Sequence, residues 1–173
     1  MVKLIAMTPC DGLLPIEVGG VTVSEVVPEA LTSVAPFKGH EQAVSAALKK
    51  AVGAGLPDVG KRDGAVSWFG HGVYIVVGVV APDGAAVTDQ SDAWAVVEIS
   101  GEGVEDVLAR LVPADLRVSK LPVNTVAKTM LAHLSVTITR TGAGAFEIMV
   151  MRSMAKTLVH DLETAMKGLA ARG

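Results

Sequence analysis

The C-terminal third is the part of the sequence that most restricts the fold. From Lys128 to Thr139 the side chains fall into two alternating sets. Met130, Ala132, Leu134, Val136 and Ile138 make one face, and Leu131, His133, Ser135, Thr137 and Thr139 the other. A period of two predicts a single long strand, with the second set as its wetter face. Thr141-Gly-Ala-Gly-Ala145 turns the chain, and Phe146-Glu-Ile-Met-Val-Met151 returns it as a buried strand. The period then changes to 3.6. Leu158, Leu162, Met166 and Leu169 form one helical stripe, with Ser153 predicted to cap the helix. Strands that feed an amphipathic helix require a layered fold in which helix covers sheet.

Upstream, Ile16-Glu17-Val18 and Val21 to Val27 flank Gly19-Gly20, a two-residue hairpin signal. Pro28 to Gly39 reads as a connector punctuated by Pro28, Pro36 and Gly39. Glu41 to Val52 reads as a helix with Val44, Ala47, Leu48 and Ala51 on one face and Gly53 as its stop. Ala65–Phe69 and Val73–Val80 form a second hairpin around Gly70-His71-Gly72. The latter strand is apolar on both faces, which predicts cover on both. Ala81 to Asp92 reads as a polar surface loop, Ala93 to Ile99 as a strand, and Gly103 to Leu111 as a short helix. This order predicts an antiparallel α+β fold. The succession of elements suggests two similar halves, although no repeat is visible in the residues themselves.

With 173 residues the chain is read as one domain, 1–173, with possible halves at about 1–112 and 113–173. Half of the residues are hydrophobic but only 3% are aromatic, so Val, Leu, Ala and Met must fill the core. Part of that apolar surplus is expected to face a partner chain. A net charge of −3 without a basic block argues against nucleic acid and anionic membranes as partners. Cys10, the only cysteine, forms no intrachain disulfide and hints at a reducing compartment. The N-terminal apolar run is too short for a secretory leader, and the longest apolar run, Val73–Pro82, is too short to span a bilayer. The expected location is cytoplasmic.

No catalytic constellation stands out. His40, His71, His133 and His160 are placed in a connector, a turn, a strand face and a helix, without metal-ligand spacing. Ser153-Met-Ala-Lys156 matches S-x-x-K, but the companion elements of serine acyl-transferases are missing, so Ser153 is read as an N-cap. Ser100-Gly-Glu-Gly103 opens a helix as a phosphate loop would. However, Glu102, Glu105 and Asp106 would repel a pyrophosphate and suit the helix dipole instead. Arg152 is a candidate for an anion site at a helix N-terminus, or for an ion pair with Glu98 or Glu147 that fixes a strand–helix junction at a subunit interface. The second reading is preferred. Trp68 and Trp94 are read as core or interface anchors.

Several segments together carry a family likeness. They are Trp68-Phe-Gly70, Ser91-Asp-Ala93, Val97-Glu-Ile-Ser-Gly-Glu102, Val107-Leu-Ala-Arg-Leu111 with Asp115-Leu116, Lys128-Thr129, and above all Phe146-Glu-Ile-Met-Val-Met-Arg-Ser153. Val23-Ser-Glu25 and Gly55-Leu-Pro57 add weaker marks. In these segments the chain resembles the gamma-subunit family of heterotetrameric sarcosine oxidase. It departs from the family pattern at Gly70-His71-Gly72 and Tyr74, where the family usually has Gly-Pro and a second tryptophan.

The resemblance implies a fold similar to the folate-binding domain of glycine-cleavage T-protein, two pseudo-repeated β-β-α-β-β-β-α halves. It implies a non-catalytic subunit among four unlike chains, partnered by large alpha and beta subunits and a small delta subunit. Such a complex oxidatively demethylates sarcosine to glycine, produces hydrogen peroxide and passes a one-carbon unit to tetrahydrofolate. FAD, FMN, NAD and tetrahydrofolate are then expected on partner subunits, with no cofactor on this chain. Arg152, Ser153 and Trp68 become the candidate interface or anion-site residues, and the isolated chain is a candidate homo-oligomer. The alternative is a stand-alone folate or one-carbon binding protein of the same fold, in which Glu98, Glu147 or Asp92 would read a pterin.

Overall fold

A computed structural model of the chain describes residues 5–172; the first four residues, part of the segment weighed as a leader, lie outside them. Eleven strands and three helices are described. They are β1 (Ile16–Val18), β2 (Val21–Val26), β3 (Leu31–Pro36), α1 (Glu41–Val52), β4 (Arg62–Asp63), β5 (Val66–Gly70), β6 (Val73–Val77), β7 (Ala85–Asp89), β8 (Trp94–Gly101), α2 (Val104–Leu108), β9 (Val126–Leu131), β10 (Leu134–Gly142), β11 (Ala145–Met151) and α3 (Ala155–Ala170). A six-stranded sheet has the order β1-β2-β8-β11-β10-β9, and a five-stranded sheet the order β4-β5-β6-β3-β7. Every pairing in both is antiparallel, so the expected antiparallel α+β class is what forms.

The molecule is layered helix, sheet, sheet, helix. On the outer face of the six-stranded sheet, Val97, Ile99, Ile138, Phe146 and Ile148 meet Leu158, Leu162 and Met166 of α3 and Val104, Val107 and Leu108 of α2. Each such side chain contributes roughly 1.5–3 kcal/mol on burial. On the other sheet, Val34, Val66 and Val76 meet Val44 and Leu48 of α1. Leu31, Ile75, Val96 and Met149 fill the space between the sheets. Strands β8 and β11 are therefore covered on both faces, which explains their nearly continuous apolar sequence.

Several sequence expectations are corrected. The long strand 128–139 is a hairpin: β9 and β10 pair Leu131 with Leu134 across a two-residue turn, Ala132-His133. His133 thus lies in a turn, and Ala132 adopts a left-handed φ of 48°. The Ala132 N–H donates to the Leu111 carbonyl at 2.8 Å, so the turn is fixed by a distant loop. Leu131, Thr137 and Thr139 of the supposed wetter face are buried, whereas Met130 is exposed.

The connector 28–39 contains β3, an interior strand whose Leu31, Thr32 and Val34 are buried, and the loop 81–92 contains the edge strand β7. In β6 only Ile75 and Val76 are buried. Val77 is partly exposed and Val79 is 87% exposed beyond the strand end. Of the α1 stripe, Val44 and Leu48 are buried, while Ala47 and Ala51 face outward. Ser153 does not cap α3. The chain enters that helix through a 3₁₀ turn, Arg152–Met154, so the cap position falls on Met154 and carries no side-chain cap bond.

Two crossings carry the chain between sheets, from β2 to β3 and from β7 to β8. Ser91 holds both. Its hydroxyl accepts the Leu31 N–H at 3.1 Å, and its own N–H and O–H donate to the Asp89 carboxylate at 2.9 and 2.7 Å. These bonds hold the Asp89 carboxyl below its ordinary value.

Candidate functional site

A cavity of about 150 Å³ lies between the two sheets. Apolar side chains, among them Val26, Leu31, Phe69, Ile75, Val96 and Met149, supply most of its wall. Ser67, Thr137, Thr139, Arg62 and Glu147 add polar groups. Arg62 projects from β4 of one sheet and Glu147 from β11 of the other. They form an ion pair at 3.0 Å, and both side chains are about four-fifths buried. The Arg62 Nε donates to the Gly64 carbonyl at 3.1 Å, which fixes the guanidinium plane. Glu147 is turned toward this space because β11 alternates. Phe146, Ile148 and Val150 point to the helices, leaving Glu147 and Met149 on the inner face.

At the neighbouring end of the six-stranded sheet, Met151 lies opposite Trp94 in the β8–β11 register. Trp94, Met151 and Met154 line a shallow depression with Lys128, Leu134 and Ser135. Met151 is 57% exposed, and Met130 and Met154 are also exposed. Trp94 packs edge-on against Phe69, with ring centroids 5.1 Å apart. Lys128 lies over the Phe69 ring, with its Nζ 4.5 Å from the ring centroid and donating to the Phe69 carbonyl.

The sequence candidates do not converge. Arg152 and Ser153 lie together at the β11–α3 junction, whereas Trp68 sits on the other sheet, half-buried and paired with Tyr74 in the β5–β6 register. Its neighbour Phe69, not Trp68, lines the cavity. Arg152 pairs with neither Glu98 nor Glu147. Its guanidinium donates to the Met7 carbonyl and stands 3.8 Å from Asp92, while its N–H donates to the Ala93 carbonyl. The side chain thus fastens the N-terminal segment to the end of β11. Ser153 and Lys156 of the S-x-x-K match are both exposed.

The Gly101–Gly103 segment has a packing role. A Cβ on Gly101 would lie 2.1 Å from the Gly20 carbonyl oxygen, and φ is 129° there, so glycine is required where the first hairpin crosses β8. Among the described residues no group of three or more His, Cys, Asp and Glu side chains is placed to hold a metal ion. No described helix is long and apolar enough to cross a membrane.

Sequence reasoning missed Arg140, whose side chain is fully buried. It donates to the carbonyls of Leu121 at 2.7 Å, Ala143 at 2.6 Å and Leu116, and to the Glu105 carboxylate at 2.5 Å. Its guanidinium lies 4.3 Å from the Phe146 ring centroid. It organises the 112–124 loop between α2 and β9. The alternation that puts Ile138 in the core also puts Arg140 there.

A family model described as "Sarcosine oxidase, gamma subunit family" matches residues 82–167. The sarcosine oxidase subunit gamma of Corynebacterium sp. (strain P-1) is 33% identical over 147 residues, covering 73% of this chain and 71% of that one. The chain belongs to the sarcosine oxidase gamma subunit family. The corresponding Arthrobacter subunit is 31% identical over the same coverage. Among solved structures, a chain of the heterotetrameric sarcosine oxidase from Corynebacterium sp. U-96, in complex with pyrrole 2-carboxylate, superposes with a TM-score of 0.79. The match covers 95% of this chain and 96% of that one at 24% identity, and so shows that the two chains share a fold. The family match contains β8, the β9–β10 hairpin and the β11–α3 junction, but ends short of Trp68 on the N-terminal side.

Proposed function

We propose that this chain is an accessory, non-catalytic subunit of a heterotetrameric sarcosine oxidase in the cytoplasm, bound to large alpha and beta subunits and a small delta subunit. The complex would convert sarcosine to glycine and hydrogen peroxide and pass a one-carbon unit to tetrahydrofolate, with FAD, FMN, NAD and folate held by the partner chains. The gamma-family membership carries this reading. The exposed methionines Met151 and Met154 beside Trp94 support it, because a clustered apolar surface on a folded chain suits a permanent partner. Arg152 and Ser153 border that surface and would lie at its rim; Trp68 would serve a separate contact on the other sheet.

Glu147 does reach an inter-sheet cavity, as a pterin-reading carboxylate would. Yet a space of about 150 Å³ holds one ring and not a folate, so the accessory reading is preferred to stand-alone folate binding. The test is to tag the chain in its native host grown on sarcosine and purify it. A yellow assembly with two large chains and one small chain is the expected result. A colourless chain recovered alone, as monomer or homo-oligomer, would refute the accessory role.

A further inference from the structure

We propose that the outer edge of β7 (Ala85–Asp89) is a pairing surface for a second copy of this chain, which joins the two five-stranded sheets edge to edge. The inference is independent of the accessory role. β7 ends its sheet and, among the described residues, pairs only with β3. The Phe37 N–H donates to the Gly84 carbonyl and the Gln90 N–H to the Leu31 carbonyl, both at 2.8 Å. Gly84 and Gln90 therefore turn their backbone groups toward β3, and so do Ala86 and Thr88 between them. Antiparallel pairing alternates, so the N–H and C=O groups of Ala85, Val87 and Asp89 point out from the sheet edge. Pro36, which has no N–H to give, stands opposite Ala85, where no bond to β3 is needed.

The other edges are guarded. β1 has three residues, and Ala170 at the end of α3 stands against Gly19 beside it. β4 has two residues and leads back through the Lys61–Thr125 bridge to β9, whose Val126 N–H donates to the Gly60 carbonyl. β9 also carries Lys128 at mid-strand. β7 has none of these guards: it contains no lysine, proline or bulge, and its last four residues are exposed. Its sequence fits its own copy. A two-fold axis at Val87 pairs Val87 with Val87 and Ala85 with Asp89, so the outward N–H and C=O groups of all three find partners. The one charged residue of β7, Asp89, then faces an alanine, and the two Asp89 lie about 14 Å apart along the strands. The pairing also completes a row. Trp68, Tyr74, Val34 and Val87 stand opposite one another across β5, β6, β3 and β7. Val34 is buried under α1, while Val87 at the open end is 36% exposed, and a second Val87 covers it.

The experiment follows the mass of the full chain by light scattering over a concentration series, beside disulfide trapping. The chain is expected to pass from monomer to dimer as concentration rises. Val87→Lys, which sets two ammonium groups side by side at the axis, should weaken the dimer by about tenfold or more. Val87→Cys places thiols on Cα atoms about 5.5 Å apart, within the reach of a disulfide, and should give a covalent dimer on oxidation. It decides the matter if Val87→Lys fails to fold. Val79→Cys, 87% exposed beyond the end of β6, is the collision control, and Cys10 is buried in all of these proteins. A chain that stays monomeric throughout, a dimer that Val87→Lys leaves intact, or Val87→Cys cross-linking no faster than Val79→Cys would overturn the proposal. Where the chain purifies with partner chains, the trapping is done on that assembly, and a disulfide between two copies of this chain is again expected. Release of a partner chain by Val87→Lys with no such disulfide would give the edge to a partner's strand and overturn the proposal. Flavin colour and co-purifying chains, which test the accessory role, are read separately from this cross-link, so either reading can fail alone.

Discussion

At the scale of single residues, Arg140 shows how one side chain can organise a loop. Its donors satisfy the carbonyls of Leu116 and Leu121 in the 112–124 loop and of Ala143 in the β10–β11 turn. Arg140→Met keeps the apolar stem but strands those acceptors and Glu105, and should cost about 3 kcal/mol or more in urea unfolding. Arg140→Lys should recover little, because one ammonium cannot span a fork of acceptors. Cys10 is a second residue-scale case. Burial, the Glu25 charge and a Glu25 hydrogen bond push its thiol from 9.0 to about 11. At pH 8 that two-unit rise cuts the thiolate fraction about 100-fold, so a thiol reagent should label the folded chain far more slowly than the urea-unfolded one. Equal rates would show that the site opens freely.

At the scale of elements, the β9–β10 hairpin turns without glycine, proline or asparagine. Ala132 adopts a left-handed φ that costs an L-residue roughly 1 kcal/mol, and Ala132→Gly should raise stability by about that amount. The Ser91 corner gives a pH test. Asp89 is held below its ordinary 3.8 by the Ser91 hydroxyl and N–H. A carboxyl depressed on folding stabilises above its unfolded value and loses that contribution as pH falls through the folded one. The corner should therefore weaken only below about pH 4, and Ser91→Ala should reduce this acid sensitivity. Stability measured across pH 2–6 for both proteins, on the scale set by these carboxyl values, would decide it.

At the scale of the whole molecule, the six-stranded sheet takes β1, β2 and β8 from before residue 112 and β9, β10 and β11 from after it. The Arg62–Glu147 pair also joins one sheet to the other. We therefore expect one cooperative domain, with tryptophan fluorescence and far-UV circular dichroism melting together. Two separated transitions would mean that the halves fold independently. The exposed methionine surface makes the corresponding prediction for assembly. Met151→Asp leaves the core untouched, so it should keep the melting temperature within a few degrees while sharply reducing recovery of partner chains.

The sequence alone determined the local elements whose signals are local. The Gly19-Gly20 hairpin, α1 with its Gly53 stop, the β11 return and the α3 stripe all form where turn residues and periodicity place them. The family was legible too, because the block 146–153 is specific as a string of residues. Tertiary structure decided the rest. A hairpin without turn residues forms at Ala132 because the Leu111 carbonyl, twenty-one positions away, receives its N–H. Strand β3 forms between two prolines because Ser91 and β6 supply its partners. Arg62 and Glu147, eighty-five positions apart, meet only because two sheets pack face to face. Periodicity reports which side of an element is apolar, but not which distant group stands opposite. That is fixed by chain closure, and so the cavity was invisible until the sheets were stacked.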